Sequence, residues 1–199
     1  MKNIIRLILK SDFSKISNKF IYITFIILPL LFYFGDRSFI AYDEGYYALQ
    51  GKWILESGNW IAPQWFDQVQ FDRPPVLPVF LAVCYRLFGY SHFSAHLTSL
   101  CFSFIVLYLT FKIHKELLES EYQWISPLIL ITTYLWINYT HLINQELLLV
   151  AVEMLGIYYI IKTSEKSQNY IYLLSTVWIG IGFFIKTYMI IIPIIAILP

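Results

Sequence analysis

Apolar runs fill most of the chain, and one polar stretch, Asp43 to Pro75, interrupts them. Ahead of it, bases mix with Ile4, Ile5, Leu7, Ile8, Phe13 and Ile16 across Met1–Lys19, which predicts a helix on a membrane surface held by anionic lipid. Phe20 to Gly35 predicts a first membrane span, bent at Pro29. Inside the polar stretch, Asp43 to Ser57 predicts a helix that begins on two acids and stops at Gly58. Asp43, Tyr47 and Ile54 share one face of it. Asp67, Asp72 and Pro74-Pro75 mark an irregular return. A second helix is predicted over Val76–Phe88, ended by Gly89. Further spans are predicted at His92–Ile113, Trp124–Leu142, Leu147–Ile161 and Tyr170–Ile185. A sixth begins at Tyr188 and reaches only Pro199, short of the roughly 20 residues a crossing needs. The fold class expected is therefore all-α, a polytopic transmembrane helix bundle with a long first outer loop, and the chain is expected to be part of a longer protein.

Val76–Phe88 decides the topology. It is too short to cross and carries Arg86. If it crossed, Lys112, His114 and Lys115 would face outward and Glu146 would lie across the membrane from Asp43. If it lies along the membrane, Lys112, Lys115, Lys162 and Lys166 all fall on the cytoplasmic side with the N-terminal bases Lys2, Arg6, Lys10, Lys15 and Lys19. The second arrangement is adopted. It gives a cytoplasmic interfacial segment, residues 1–19, and a transmembrane domain, residues 20–199, whose first outer loop spans 36–91. It also gathers Asp43, Glu44, Asp72, Arg73, Glu146 and Lys186 on one face of the membrane.

Composition agrees. The chain is 58% hydrophobic, 19% aromatic and 14% charged, against about 45–50% apolar and about 25% charged in soluble domains. The net charge of +1 gives no sign of a nucleic-acid partner, and none is expected. Cys84 and Cys101 lie in apolar runs and read as buried free thiols.

Five of the thirteen acids sit in the polar stretch: Asp43, Glu44, Glu56, Asp67 and Asp72. Asp43-Glu44 suits a helix start, where acids cap the backbone and meet the helix dipole. A carboxylate there can also accept a proton from an attacking hydroxyl or hold a divalent cation. Asp72-Arg73 is stiffened by Pro74-Pro75, and an arginine grips a phosphate through paired hydrogen bonds. Glu146 opens a span, with Glu153 seven residues on and inside the hydrocarbon. Lys186 offers a second cation at the membrane surface. His92 and His96 have the spacing of a metal pair without a third ligand nearby in sequence and read as structural.

These residues resemble a family. Asp43-Glu44-x-x-Tyr47, Gly58-Asn59-Trp60-x-x-Pro63 and Phe71-Asp72-Arg73-Pro74-Pro75 are similar to the first outer loop of the GT-C glycosyltransferases of the aminoarabinose transferase and protein O-mannosyltransferase type. Leu87-Phe88-Gly89, Phe93-Ser94-Ala95, Glu146 and Gly182-x-x-x-Lys186 fall at further landmarks. Three positions depart from the usual pattern: Arg73 stands for Lys, His96 for Arg, and Glu146 for Asp. The resemblance implies an integral enzyme of the bacterial plasma membrane, with its N-terminus cytoplasmic. It would move a sugar from a polyprenyl-phosphate donor to a lipid, glycan or protein acceptor on the outer face. It implies Asp43 as the catalytic carboxylate, tuned by Glu44. Arg73 would meet the donor phosphate, with Lys186 and Tyr47 binding substrate. A divalent metal would sit near Asp72 or Glu146. A transporter working through Glu153 and a non-catalytic membrane subunit are the alternatives, and this stretch alone is expected to be inactive.

Overall fold

The computed structural model of the chain describes residues 38–40, 43–62, 64, 65, 68, 69, 73–118, 123–163, 168–192 and 195. The expected interfacial helix over Met1–Lys19, the first span, Asp67 and Asp72 lie outside the described residues.

Helix α1, Asp43–Ser57, begins and ends where its sequence predicts. Gly58 stops it by turning to φ 71°, while its N–H still donates to Ile54 O at 3.0 Å. Glu44, Tyr47, Ala48, Gly51 and Ile54 recur at helical spacing and form its buried face. The loop then folds on itself. Asn59 Oδ1 accepts from Ile61 N and Ala62 N, each at 3.2 Å, an Asx-type turn. Gln64–Trp65 (β1) pairs antiparallel with Gln68–Val69 (β2), with Gln64 opposite Val69. These two short strands are what is described of the return, since residues 66, 67 and 70–72 lie outside the described residues.

Helix α2, Val76–Phe88, also matches its predicted bounds, set by Pro74-Pro75 before it and Gly89, at φ 79°, after it. It packs lengthwise on α1. Gly51 permits the approach, since a Cβ there would lie 2.8 Å from Leu81 Cβ and 3.3 Å from Pro78 O. The opposite side of α2 leaves Phe80, Val83, Leu87 and Phe88 exposed.

Helix α3, His92–Leu118, runs five residues past the predicted end and spans 27 residues, about 40 Å. Ser91 and Ser94 start it by exchanging hydrogen bonds, each hydroxyl accepting the other's backbone N–H at 3.1 Å. Its mean hydropathy of 1.6 makes it the one described helix that alone is long and apolar enough to cross a membrane. Cys101 lies exposed on its outer side, not buried as expected.

The predicted single span Trp124–Leu142 is two seven-residue helices, α4 (Ile125–Ile131) and α5 (Tyr134–Thr140). Thr132 and Thr133 break it. Their hydroxyls donate to Ile129 O and Leu130 O, each at 2.8 Å, and Thr133 Oγ1 then accepts from Trp136 N at 3.4 Å to cap α5. Helix α6, Gln145–Thr163, follows at 112° to α5, and this bent pair together also has the length and hydropathy of a span. Helix α7, Gln168–Lys186, packs on α6 where Trp178 covers Gly156. A short 3-10 turn, Thr187–Ile190, opens the stretch in which a sixth span is expected to begin at Tyr188, and Ile190 sits against Gly182; residues 193, 194 and 196–199 of that expected span lie outside the described residues.

The core lies where α3 meets α6, with α1, α2 and α7 around it. Ala95, Ser99, Ser103 and Ala151 are buried there, small residues that let helices approach closely without a water-driven force between them. Ser99 Oγ also donates to Leu142 O at 2.7 Å and ties α3 to the turn before α6.

Candidate active site

At one end of the bundle the start of α1, the entry to α2, the start of α6 and the end of α7 enclose a polar cavity of about 310 Å³. Asp43, Tyr47, Arg73, Glu146 and Lys186 line it with Pro74, Asn144, Gln145, Thr187 and Met189. Five of the residues singled out in the sequence thus come together, from both ends of the described chain.

Arg73 is the hub. Its Nη1 donates to Asp43 Oδ1 at 3.1 Å and to Tyr47 Oη at 2.7 Å. The Tyr46 and Tyr47 rings lie 5.6 and 5.4 Å from its guanidinium carbon. Burial opposes the charge on Arg73, but Tyr47 and Asp43 outweigh it and hold the guanidinium pKa above its ordinary value. Burial raises the Tyr47 phenol, and Arg73 offsets only part of the shift, so Tyr47 is a neutral hydroxyl. Gln145 Nε2 donates to Pro74 O at 3.3 Å and moors the segment that carries Arg73.

Glu146, in the first turn of α6, pairs with Lys186, the last residue of α7. Each charge complements the dipole of its own helix. Asp43 is the more accessible acid, its side chain 67% exposed. Its backbone position one turn before Tyr47 aims both side chains at Arg73.

Glu44 does not line this cavity. It is 2% exposed. Its Oε2 accepts from Ile40 N at 2.7 Å and its Oε1 from Ile143 N at 2.9 Å. Buried His96 Nε2 lies 3.8 Å from Oε1, and His96 Nδ1 is 2.7 Å from His92 O. The two histidines are thus part of a structural knot, with the Phe39 ring stacked on His96 and tilted against His92. One residue along a helix is a rotation of about 100°, enough to send Asp43 to the cavity and Glu44 to the core. Glu44 therefore clips the start of α1 to the turn that carries Asn144, Gln145 and Glu146.

Glu153 lies half-buried farther along α6 and does not line the polar cavity. Among the described residues no three His, Cys, Asp or Glu side chains come together as a metal site. Glu146, one of the two residues expected near a metal, is engaged by Lys186. A second, apolar cavity of about 700 Å³ runs between α3, α4, α5 and α6, lined by Val106, Leu130, Trp136, Leu147 and Met154. Glu146 borders both cavities. Asn144, Gln145 and Thr187 were not singled out in the sequence. An Asn-Gln-Glu run at a span's outer end signals the first two, because such a run caps a helix and leaves amides facing the loop.

This helical bundle, with a polar loop folded back over a charged cavity, has the fold of the membrane transferases with which it superposes, the GT-C type that its first-loop residues resemble. The chain belongs to the dolichyl-phosphate-mannose-protein mannosyltransferase family, whose sequence profile matches residues 72–198. The undecaprenyl phosphate-alpha-4-amino-4-deoxy-L-arabinose arabinosyl transferase of Shewanella sediminis is 27% identical over 127 residues, 64% of this chain and 23% of that protein. The protein of the same name from Wigglesworthia glossinidia brevipalpis is 24% identical over 190 residues, 92% of this chain and 34% of its own length. The crystal structure of ArnT from Cupriavidus metallidurans bound to undecaprenyl phosphate matches 90% of this chain and 34% of that chain, with a TM-score of 0.76 at 16% identity. Its apo form gives 0.73 at 15%. The chain thus spans about a third or less of the length of these relatives.

Proposed function

We propose that the polar cavity is the transfer site of a membrane glycosyltransferase that takes a sugar from a polyprenyl-phosphate donor. The acceptor is a lipid, glycan or protein hydroxyl on the outer face of a bacterial plasma membrane. One observation carries the reading: two cations, Arg73 and Lys186, and an accessible acid, Asp43, line a single cavity of about 310 Å³. Family membership and the undecaprenyl-phosphate names of the relatives support the donor class.

In this reading the donor phosphate lies against Arg73 and Lys186. Asp43 and Tyr47 engage Nη1 of Arg73; among the described residues Nη2 and Nε make no hydrogen bond, and they are the atoms that would grip phosphate oxygens. Tyr47, a neutral hydroxyl, holds the guanidinium in place. Asp43 takes the proton from the acceptor hydroxyl as its oxygen bonds to the anomeric carbon. The bond from that carbon to the phosphate oxygen breaks, and the lipid phosphate leaves with the electron pair, its charge held by the two cations. A single displacement inverts the anomeric centre.

The test is Asp43→Asn in the complete protein. Asparagine keeps the size and the helix-capping oxygen but cannot act as the base, so transfer of labelled sugar is expected to fall by about 10²–10⁴-fold at normal protein level in membranes. Transfer at the wild-type rate would remove Asp43 from the chemistry.

A further inference from the structure

Helix α7 ends on Lys186, and the next residue, Thr187, has φ 48°. Among the described residues it is the one non-glycine in the left-handed region. Helices that end this way nearly always take glycine at that position, because a Cβ crowds the backbone there, and a β-branched residue is the least suited. The turn itself is imposed by packing. Ile185 and Ile190 are buried on either side of it, and Ile190 closes onto Gly182, where a Cβ would meet its side chain at 2.3 Å. The fold therefore demands the conformation, and the sequence fills it with a strained residue. Thr187 is also half-buried and lines the polar cavity beside Lys186. Its hydroxyl makes no hydrogen bond among the described residues. Strain held at a cavity wall, by a side chain with an unused donor, points to a ligand contact.

We infer that Thr187 Oγ1 is a donor-binding group, giving its hydrogen bond to a phosphate oxygen of the polyprenyl-phosphate sugar next to the Lys186 ammonium. The inference rests on the transfer-site reading above and adds a residue to it. Thr187 fixes the phosphate from the α7 side while Arg73 grips it from the loop.

Three variants of the complete protein separate strain from binding. Thr187→Val keeps the branched Cβ and loses the hydroxyl; the KM for the polyprenyl-phosphate sugar is expected to rise about tenfold, with the unfolding midpoint unchanged. Thr187→Ser restores most of that loss. Thr187→Gly relieves the backbone, so its midpoint rises by about 1–3 °C while its KM rises as in the valine variant. The glycine variant is read alone if valine does not fold. A wild-type KM in Thr187→Val, or in Thr187→Gly in that case, overturns the inference. Asp43→Asn, assayed alongside, keeps the two readings apart: if it is inactive while Thr187→Val binds donor normally, only the Thr187 contact is wrong.

Discussion

Replacing Glu44 by glutamine is the sharpest test of how this site is held together. The carboxylate accepts two backbone N–H groups at opposite ends, Ile40 N at 2.7 Å and Ile143 N at 2.9 Å, in a setting 2% exposed. Glutamine has one acceptor end. Whichever way its amide is turned, an NH2 group faces a backbone N–H that already donates, so one hydrogen bond is lost and two donors are buried against each other. A hydrogen bond to a charged group contributes about 1.5–3 kcal/mol, and an unsatisfied buried donor costs about 1–3 kcal/mol. A net loss of about 2–4 kcal/mol is expected, lowering the unfolding midpoint by roughly 5–10 °C. Because the same carboxylate fixes the start of α1 against the turn before α6, Asp43 and Glu146 should lose their spacing and transfer should fall too. Thermal unfolding of the purified protein in detergent and transfer of labelled sugar are measured together. Asp43→Asn is the control, expected to lose transfer and keep stability. A Glu44→Gln protein that melts and turns over like the wild type would falsify the two-ended clip.

Three further outcomes are expected. Gly51→Ala places a methyl 2.8 Å from Leu81 Cβ and 3.3 Å from Pro78 O, so α1 and α2 must part; a loss of about 1–3 kcal/mol in the same unfolding assay is predicted, and an unchanged midpoint would show that the helices give freely. Arg73→Ala should weaken use of the polyprenyl-phosphate donor by about one to two orders of magnitude and Arg73→Lys much less; equal effects in a KM measurement would mean that the fork geometry, not the charge, matters. On the topology read from the charges, which places the N-terminus in the cytoplasm, Gln64→Cys should react with an impermeant thiol reagent from outside and Glu116→Cys only from inside; labelling of Glu116→Cys from outside would show that α2 crosses the membrane.

The ends of α1 and α2 were legible because local chemistry fixes them. Acids, a proline pair and two glycines act within a turn of where they stand. The gathering of Asp43, Arg73, Glu146 and Lys186 was legible from charge alone, because few charged residues are tolerated in an apolar chain and those present collect. The break at Thr132-Thr133 was not. Hydropathy is continuous across it, and a threonine hydroxyl that bonds back to a carbonyl looks the same in sequence as one that does not. The separate fates of Asp43 and Glu44 were hidden for a different reason. Adjacent acids invite one shared role, while the helix turns them apart, and the partner of Glu44 lies 99 residues away. The left-handed turn at Thr187 leaves no mark, since the residue found there is the one the conformation disfavours.

The turn at Ile143 to Gln145 has a consequence in time. It supplies the N–H that Glu44 needs and the amide that moors Pro74, partners separated by 99 and 71 residues. A ribosome adding about 5–20 residues per second makes that turn roughly 5–20 s after α1. Through that interval neither arm of the loop has its anchor. The loop must wait, hydrated, while α3 to α5 are laid down, and it closes only when α6 begins. Slowing synthesis between residues 90 and 140 should lengthen the protease-sensitive life of the loop without altering the finished protein.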